Sequence, residues 1–439
     1  MCQPLQSVKL LVFILFFGMS SMVLSQDSLV SVNLEAVLKL GGANNLTIKE
    51  YKLRHELALA DFMKAKEWWL PDLYAGTSIH QLWGNAMNGN GAIFTDVNRQ
   101  SFWGGLGVNA SWDFGTGLFL TDAAKLNTQA VSFATEAEQN KALLMTIETY
   151  YDFLVAQLYA KEYSQLAKQA GIIAAQIEIQ VGAGLLYESE LLLAQSNFNH
   201  LKVQMMSARM EQNNHSALLI QLLNLDPKTQ LVCVDSLLIP IELKGIETGI
   251  NVSSSIESVY KKRPELKSMD LSLQALNAAK KTTTAGLLLP KFSIGGYGSY
   301  FGGVFSPVSP TSEINASLIW TVPTGRLIYA GELKQYDCRI ALQENQISQT
   351  KARINKDVLS SRAQILLAKQ QLDIALAGSK LAEKAMNQCL QRQSLGTVRP
   401  FEILQAQEVY IKSRLDYLTS VSLYNKAQYR LFVAEGNNL

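Results

Sequence analysis

The chain repeats itself, and an internal repeat limits the folds open to a sequence more than any single motif does. Leu70-Pro71 closes a helical stretch in the first half, and Leu289-Pro290 closes one in the second. Trp112 stands five residues before Gly117, and Trp320 five before Gly325. Asn109-Ala110-Ser111 has its echo in Asn315-Ala316-Ser317. Gly184 is followed by Glu190, Leu192, Ala194 and Gln195, and Gly396 at the same spacings by Glu402, Leu404, Ala406 and Gln407. The markers keep their order, so each half is expected to run helix, strand, strand, long helix, second helix. The expected boundaries are a first repeat over 26–225, a linker over 226–255 with a short strand near Leu231 to Val234, and a second repeat over 256–439.

The long helices carry a seven-residue ladder. In the first half it runs Ala123, Leu126, Ala130, Phe133, Ala137, Leu144, Ile147, Tyr151, Leu154 and Leu158, broken by Asn140. In the second it runs Ile354, Val358, Ile365, Ala368, Leu372, Ala375, Ala382, Met386 and Cys389, broken by Ser361 and Ser379. A sustained heptad keeps one seam against a partner helix. A helix from Gly117 to Val181 spans roughly 95 Å at 1.5 Å per residue, and one from Gly325 to Leu395 about as much. Taken alone, such helices fit a soluble coiled-coil rod.

The strands change the balance. Leu73, Ala75, Thr77 and Ile79 alternate with Tyr74, Gly76, Ser78 and His80. Phe102, Leu106, Val108, Ala110 and Trp112 alternate with Trp103, Gly105, Gly107, Asn109 and Ser111. Phe292 and Ile294, then Ile314, Ala316, Leu318 and Trp320, continue the pattern. Period-two alternation over about ten residues with aromatics near the ends is the pattern of outer-membrane strands. Polar segments from Trp83 to Arg99 and from Gly302 to Glu313 are expected to be long loops. Four strands do not close a barrel with room inside, so the chain is expected to pool strands with copies of itself.

The N-terminus has the layout of an export signal over 1–25: Lys9, an apolar core from Leu10 to Phe17, and small residues before Gln26. The core is too short to span a bilayer as a helix, and no other stretch approaches 18 consecutive apolar residues. A membrane-embedded form must therefore be a closed barrel. Cys233, Cys338 and Cys389 lie far apart and imply no disulfide framework. The net charge of +2 offers no field for nucleic acid. His55, His80, His200 and His215 lack metal-ligand spacing, and Gly182-Ala183-Gly184 follows a helix and lacks the Lys-Ser/Thr of a phosphate loop. Glu190 and Glu402 begin helices, where carboxylates favour the N-terminus. No nucleophile or metal stands beside them, so neither an enzyme nor a cofactor is expected.

Arg263-Pro264-Glu265-Leu266 opening a helix, Leu222-Leu223-Asn224-Leu225-Asp226-Pro227 ending one, Leu289-Pro290 before a strand and the paired Gly184 and Gly396 segments resemble the TolC-like outer-membrane efflux proteins. The resemblance covers essentially all of the chain after the export signal. It implies a mixed α and β membrane protein of a Gram-negative outer membrane with a large periplasmic part. Three copies would pool four strands each into a twelve-stranded β-barrel embedded in outer-membrane lipid, and their helices into an α-barrel. It implies a passive channel of a tripartite efflux pump or type I secretion system, with a periplasmic adaptor (membrane-fusion) protein and an inner-membrane pump as partners. The residues by themselves leave a periplasmic coiled-coil scaffold or adaptor without a pore as the alternative. In that family the turns between paired helices form a closed tip and the adaptor docking site. Docking would fall here on Gly182, Gly184, Leu185, Leu186, Gly396, Thr397 and Val398. The gate would fall on Ser189, Glu190, Arg399 and Glu402. Glutamate stands where the family usually has aspartate, Val398 where it has arginine, and Gln405 where it has a second acidic ring.

Overall fold

A computed structural model describes residues 29–235, 238–243, 256–304, 307–394 and 399–439. The export signal over 1–25 and most of the linker's second half lie outside the described residues. The chain runs β1 (Leu29–Val32), α1 (Leu34–Asn44), α2 (Leu46–Lys66), β2 (Asp72–Met87), β3 (Ile93–Asp113), α3 (Phe114–Gly182) and α4 (Glu188–Leu223). It continues β4 (Gln230–Cys233), α5 (Ile256–Lys262), α6 (Pro264–Lys280), β5 (Lys291–Gly302), β6 (Ser309–Ile319), α7 (Thr324–Tyr329), α8 (Gly331–Ser394) and α9 (Pro400–Ala434). Helix, two strands, long helix and second helix recur in both halves. The compact units cut across these halves. Of the described residues, one holds those within 29–43, 146–239 and 376–422, the other those within 44–145, 240–375 and 423–439.

The first unit is helical. Its core lies along α3, where Ile147, Tyr150, Phe153 and Leu154 are almost fully buried. Leu166, Ala167 and Ala170 of α3 pack with Leu201 of α4 and Ile411 of α9. β1 and β4 pair in parallel, Val32 opposite Cys233. Gln157 extends this small sheet with its side-chain amide: Oε1 accepts from the Cys233 N–H at 3.0 Å and Nε2 donates to its carbonyl at 3.2 Å. That satisfies backbone groups that burial would otherwise leave unpaired. The expected linker strand is thus present as β4; its partner β1 was not anticipated. Asn224 ends α4 in the left-handed region at φ 48°, with its N–H on Gln221 and the Leu225 N–H on Ile220. This is the Schellman arrangement, and Pro227 prevents the helix from continuing.

The second unit holds the membrane-type sheet. Its order is β2-β3-β5-β6, every neighbour antiparallel, so β2 and β6 are both free edges. The register places Leu73 beside Val108, Ala75 beside Leu106, Ala110 beside Ile294 and Ile294 beside Ala316. The whole apolar set therefore shares one face, as the alternation predicts. Leu73, Ile79, Leu106 and Ile314 are all exposed on it, Ile314 at 84 %.

The expected loops are far shorter than the polar composition suggests. The segment 83–99 is mostly strand: β2 reaches Met87, β3 begins at Ile93, and only 88–92 turn. The Asn88 side chain accepts from the Asn90 and Ala92 N–H groups, and Gly91 supplies a positive φ of 82°. Between Gly84 (φ 111°) and Ala86 a bulge sets Asn85 against both Thr95 and Asp96 and absorbs the irregular register. In the same way, 309–313 belong to β6 rather than to a loop.

The second long helix is also interrupted. The continuous run expected from Gly325 is broken at Ala330, a left-handed residue at φ 46° between α7 and α8. An Arg326–Glu332 ion pair of 3.2 Å bridges the break. Beyond it, α8 packs by the expected seam: Ile347, Ile354 and Val358 meet Val259 and Leu266 of α5 and α6, and Ala434 of α9.

Candidate functional site

The first unit brings the starts of α4 and α9 to one end. Ile173, Ala174 and Ile177 of α3 pack with Ala194 of α4 and Ile403 of α9; Val181, Leu186, Leu191 and Leu390 close around them. Gln393 of α8 donates to Gln176 of α3 at 3.0 Å. The helix ends that flank the two glycine segments matched by sequence spacing are therefore neighbours in space.

The first turn has a defined geometry. Gly184 has φ 75°, its N–H meets the Val181 carbonyl at 2.9 Å, and the Leu185 N–H meets that of Gln180 at 2.9 Å. These are the two bonds of a Schellman motif with glycine at its left-handed position. Leu186 turns inward to the core cluster, while Leu185 and Tyr187 are exposed at 74 % and 81 %. Gly182 is exposed, with no atom near where a Cβ would stand. Of the second turn's docking residues, Gly396, Thr397 and Val398 lie outside the described residues.

Ser189 and Glu190 sit in the first turn of α4 and Glu402 in that of α9, where the helix dipole favours the carboxylates. Ser189 is exposed; Glu190 is half-buried, and its Oε2 is buried without a hydrogen-bond partner. Glu402 pairs with Arg392 across its own turn at 3.4 Å. Arg399 is exposed and makes no ion pair among the described residues. Arg392 was missed from the sequence, although an antiparallel helix pair places residues at similar distances on either side of a turn beside each other.

Behind the tip, the helices are tied by polar groups. The Tyr159 hydroxyl donates to the Leu415 carbonyl at 3.0 Å, and Arg414 pairs with Glu162 at 3.0 Å. Asn197 donates to Gln407 at 3.1 Å. Burial pushes the Tyr159, Tyr163 and Tyr410 phenols above their ordinary range. Among the described residues no group of His, Cys, Asp and Glu is placed to hold a metal, and no helix is long and apolar enough to cross a membrane.

Residues 38–225 match the family model described as outer membrane efflux protein. No curated protein matches by sequence. Among solved structures the chain is similar to the CmeC outer membrane channel of Campylobacter jejuni: 17 % identity, TM-score 0.80, 95 % of this chain and 90 % of that one. It is also similar to VceC of Vibrio cholerae, with 14 % identity, TM-score 0.74, 92 % of this chain and 96 % of that one. For the open-state MtrE channel of Neisseria gonorrhoeae the values are 15 % identity, TM-score 0.72, 92 % and 89 %. The fold is the one these channel structures share: duplicated helices with a four-stranded antiparallel sheet. The match to the outer membrane efflux protein model covers residues 38–225, and the likeness of fold to these channels extends over nearly the whole chain.

Proposed function

We propose that the protein is an outer-membrane channel that works as the passive exit conduit of a tripartite efflux pump or type I secretion system. It assembles as a homotrimer in which three four-stranded sheets join into one twelve-stranded barrel. The observation that carries this is the sheet itself. It has an apolar face exposed to its surroundings and a free edge on each side, β2 and β6. Lipid does not tolerate unpaired backbone groups, and joining β6 of one copy to β2 of the next removes every edge. The strand directions allow that join, since β2 and β6 run oppositely in an even-numbered antiparallel sheet. A coiled-coil scaffold has no use for such a face.

Energy comes from the inner-membrane pump, and a periplasmic adaptor docks at the helix turns. Gly182, Gly184, Leu185 and Leu186 form one docking loop and Gly396, Thr397 and Val398 the other; the exposed Leu185 offers the adaptor an apolar contact. Ser189, Glu190, Arg399 and Glu402 hold the tip shut between copies. Each exposed pair contributes only about 0–1 kcal/mol, so closure rests on several pairs repeated by symmetry. Planar-bilayer recording tests the reading: purified protein should insert as discrete channels. Arg399→Ala combined with Glu190→Ala should raise their conductance. Insertion without conductance would refute the conduit.

A further inference from the structure

The face of the sheet opposite the apolar set carries an aromatic and acidic patch. Strand pairing places Tyr74, Gly107, Tyr297 and Glu313 side by side on one rung across all four strands. The Tyr297 hydroxyl donates to Glu313 Oε2 at 2.5 Å. Trp103 stands edge-on to the Tyr297 ring with centroids 5.8 Å apart. The Tyr74 ring lies across Gly107: a Cβ there would fall 2.3 Å from Tyr74 Cζ. The next rung, Gly76, Gly105, Ser299 and Thr311, is covered: Ser299 is buried and the Trp103 ring lies beside Gly76, so Trp103 walls one side of the patch while the Tyr74 ring stays 42 % exposed.

We infer that this rung, repeated in each copy, is a binding subsite on the inner wall for organic cations with an aromatic or apolar body. The inference rests on the conduit reading, which makes this polar face the lumen. Two phenol faces attract a cation through their ring quadrupoles, and a carboxylate beside them supplies net charge. The Tyr297 hydroxyl holds that carboxylate in place by a hydrogen bond. From this rung to the one holding Trp103, Glu313 is the only charged side chain on the face. One rung the other way the nearest charge is Asp72, of the same sign. Lys291 lies at the base of the sheet, on the same rung as Asp113. The local field is therefore negative, and an aromatic anion of the same size gains the ring contacts without the charge. The subsite adds selectivity at the wall, separate from the helix-turn tip.

The test is block of single-channel current by two small aromatic ions of opposite charge, benzyltrimethylammonium and benzenesulfonate, added on the side of the 88–92 turn. The cation should block the parent at about tenfold lower concentration than the anion. Glu313→Gln should erase that difference. Tyr74→Leu, which keeps the charge, should raise the blocking concentration of the cation about threefold and that of the anion by less. Equal block of parent and Glu313→Gln by the cation overturns the subsite while leaving the conduit intact. Protein that inserts but passes no current overturns the conduit and the subsite with it.

Discussion

The two long helices carry the same ladder and are buried differently. Along α3 from Ala142 to Ile177, buried residues occur on several sides, with Thr146, Ile147, Tyr150, Tyr151, Phe153 and Leu154 all covered within three turns. Along α8 they fall on one seam: Ile347, Thr350, Ile354, Val358, Ser361, Ile365, Ala368, Leu372, Ser379, Ala382 and Met386, three or four residues apart except for the seven from Leu372 to Ser379. The flank of that seam stays apolar and uncovered. Leu367, Ile374 and Leu381, seven residues apart, are each more than 60 % exposed. A flank of this kind is where a coiled coil meets further helices. The repeat thus supplies one packing seam twice, but only α3 finds a surrounding core within its own chain; α8 is left half-partnered, and another copy is the partner proposed here.

That contrast is open to measurement. The largest effect is expected at the centre of α3. Leu154→Ala should cost about 2–5 kcal/mol, whereas Leu367→Ala, the same deletion on the exposed flank of α8, should cost less than about 1 kcal/mol. Guanidinium unfolding of the detergent-extracted protein, followed by circular dichroism, compares them. Similar costs would mean that α8 is as enclosed as α3.

The sheet offers the next contrast, between its faces. Leu106→Arg on the apolar face should weaken insertion into lipid vesicles by about 2–4 kcal/mol if the residue sits near the bilayer midplane. Asn109→Arg on the opposite face should leave insertion unchanged. Equal losses would place the register one residue off, because a slip of one exchanges the faces.

At the first turn the contrast lies between two glycines. Gly184 is left-handed, so Gly184→Ala should destabilise by about 1–2 kcal/mol. Gly182 is helical with open space around it, so Gly182→Ala should be neutral or stabilise by up to about 1 kcal/mol. Thermal melts of the two variants decide; if both lose stability alike, backbone conformation is not what the glycines supply.

The smallest effect near neutral pH concerns the cysteines. Burial, with the Asp235 charge adding to it, pushes the Cys233 thiol up to about 12. The neighbouring Tyr150 phenol is raised as well, first by burial and then by its hydrogen bond to Asp235. Cys233 should therefore resist maleimide at pH 8 while exposed Cys338 is labelled. Below the ordinary thiol range both states keep the proton and nothing changes. As pH rises from about 9 toward 12, the unfolded chain ionises where the folded one cannot, and stability falls. Cys233→Ser should flatten that alkaline slope.

Most of the architecture was legible because it rests on periodicity. The heptad ladders and the alternating strand faces mark residues whose burial follows from spacing alone. Even the ladder breaks Asn140, Ser361 and Ser379 are buried, Asn140 in a hydrogen bond to Asn438. What escaped depends on partners distant in sequence. Residues 83–99 look like loop because Asn85, Asp96, Asn98 and Arg99 are polar, yet strand pairing only requires their backbones. Glu313 was assigned to a loop for the same reason, which hid its rung with Tyr297. β1 is four residues long and exists through its pairing with β4. The Ala330 break has no glycine or proline at its left-handed position to announce it. At the candidate tip the positions of Ser189, Glu190 and Glu402 followed from the repeat, but Arg392 as the partner of Glu402 depends on how the helix pair folds back.

The central claim is that the free edges β2 and β6 are closed by other copies of this chain. Its most direct test is the number of chains in the particle extracted from the outer membrane, measured by native mass spectrometry in detergent. Three chains in every membrane-derived particle, with no inserted monomer, is the predicted result. A single chain embedded in the membrane, its sheet edges unjoined, would contradict it.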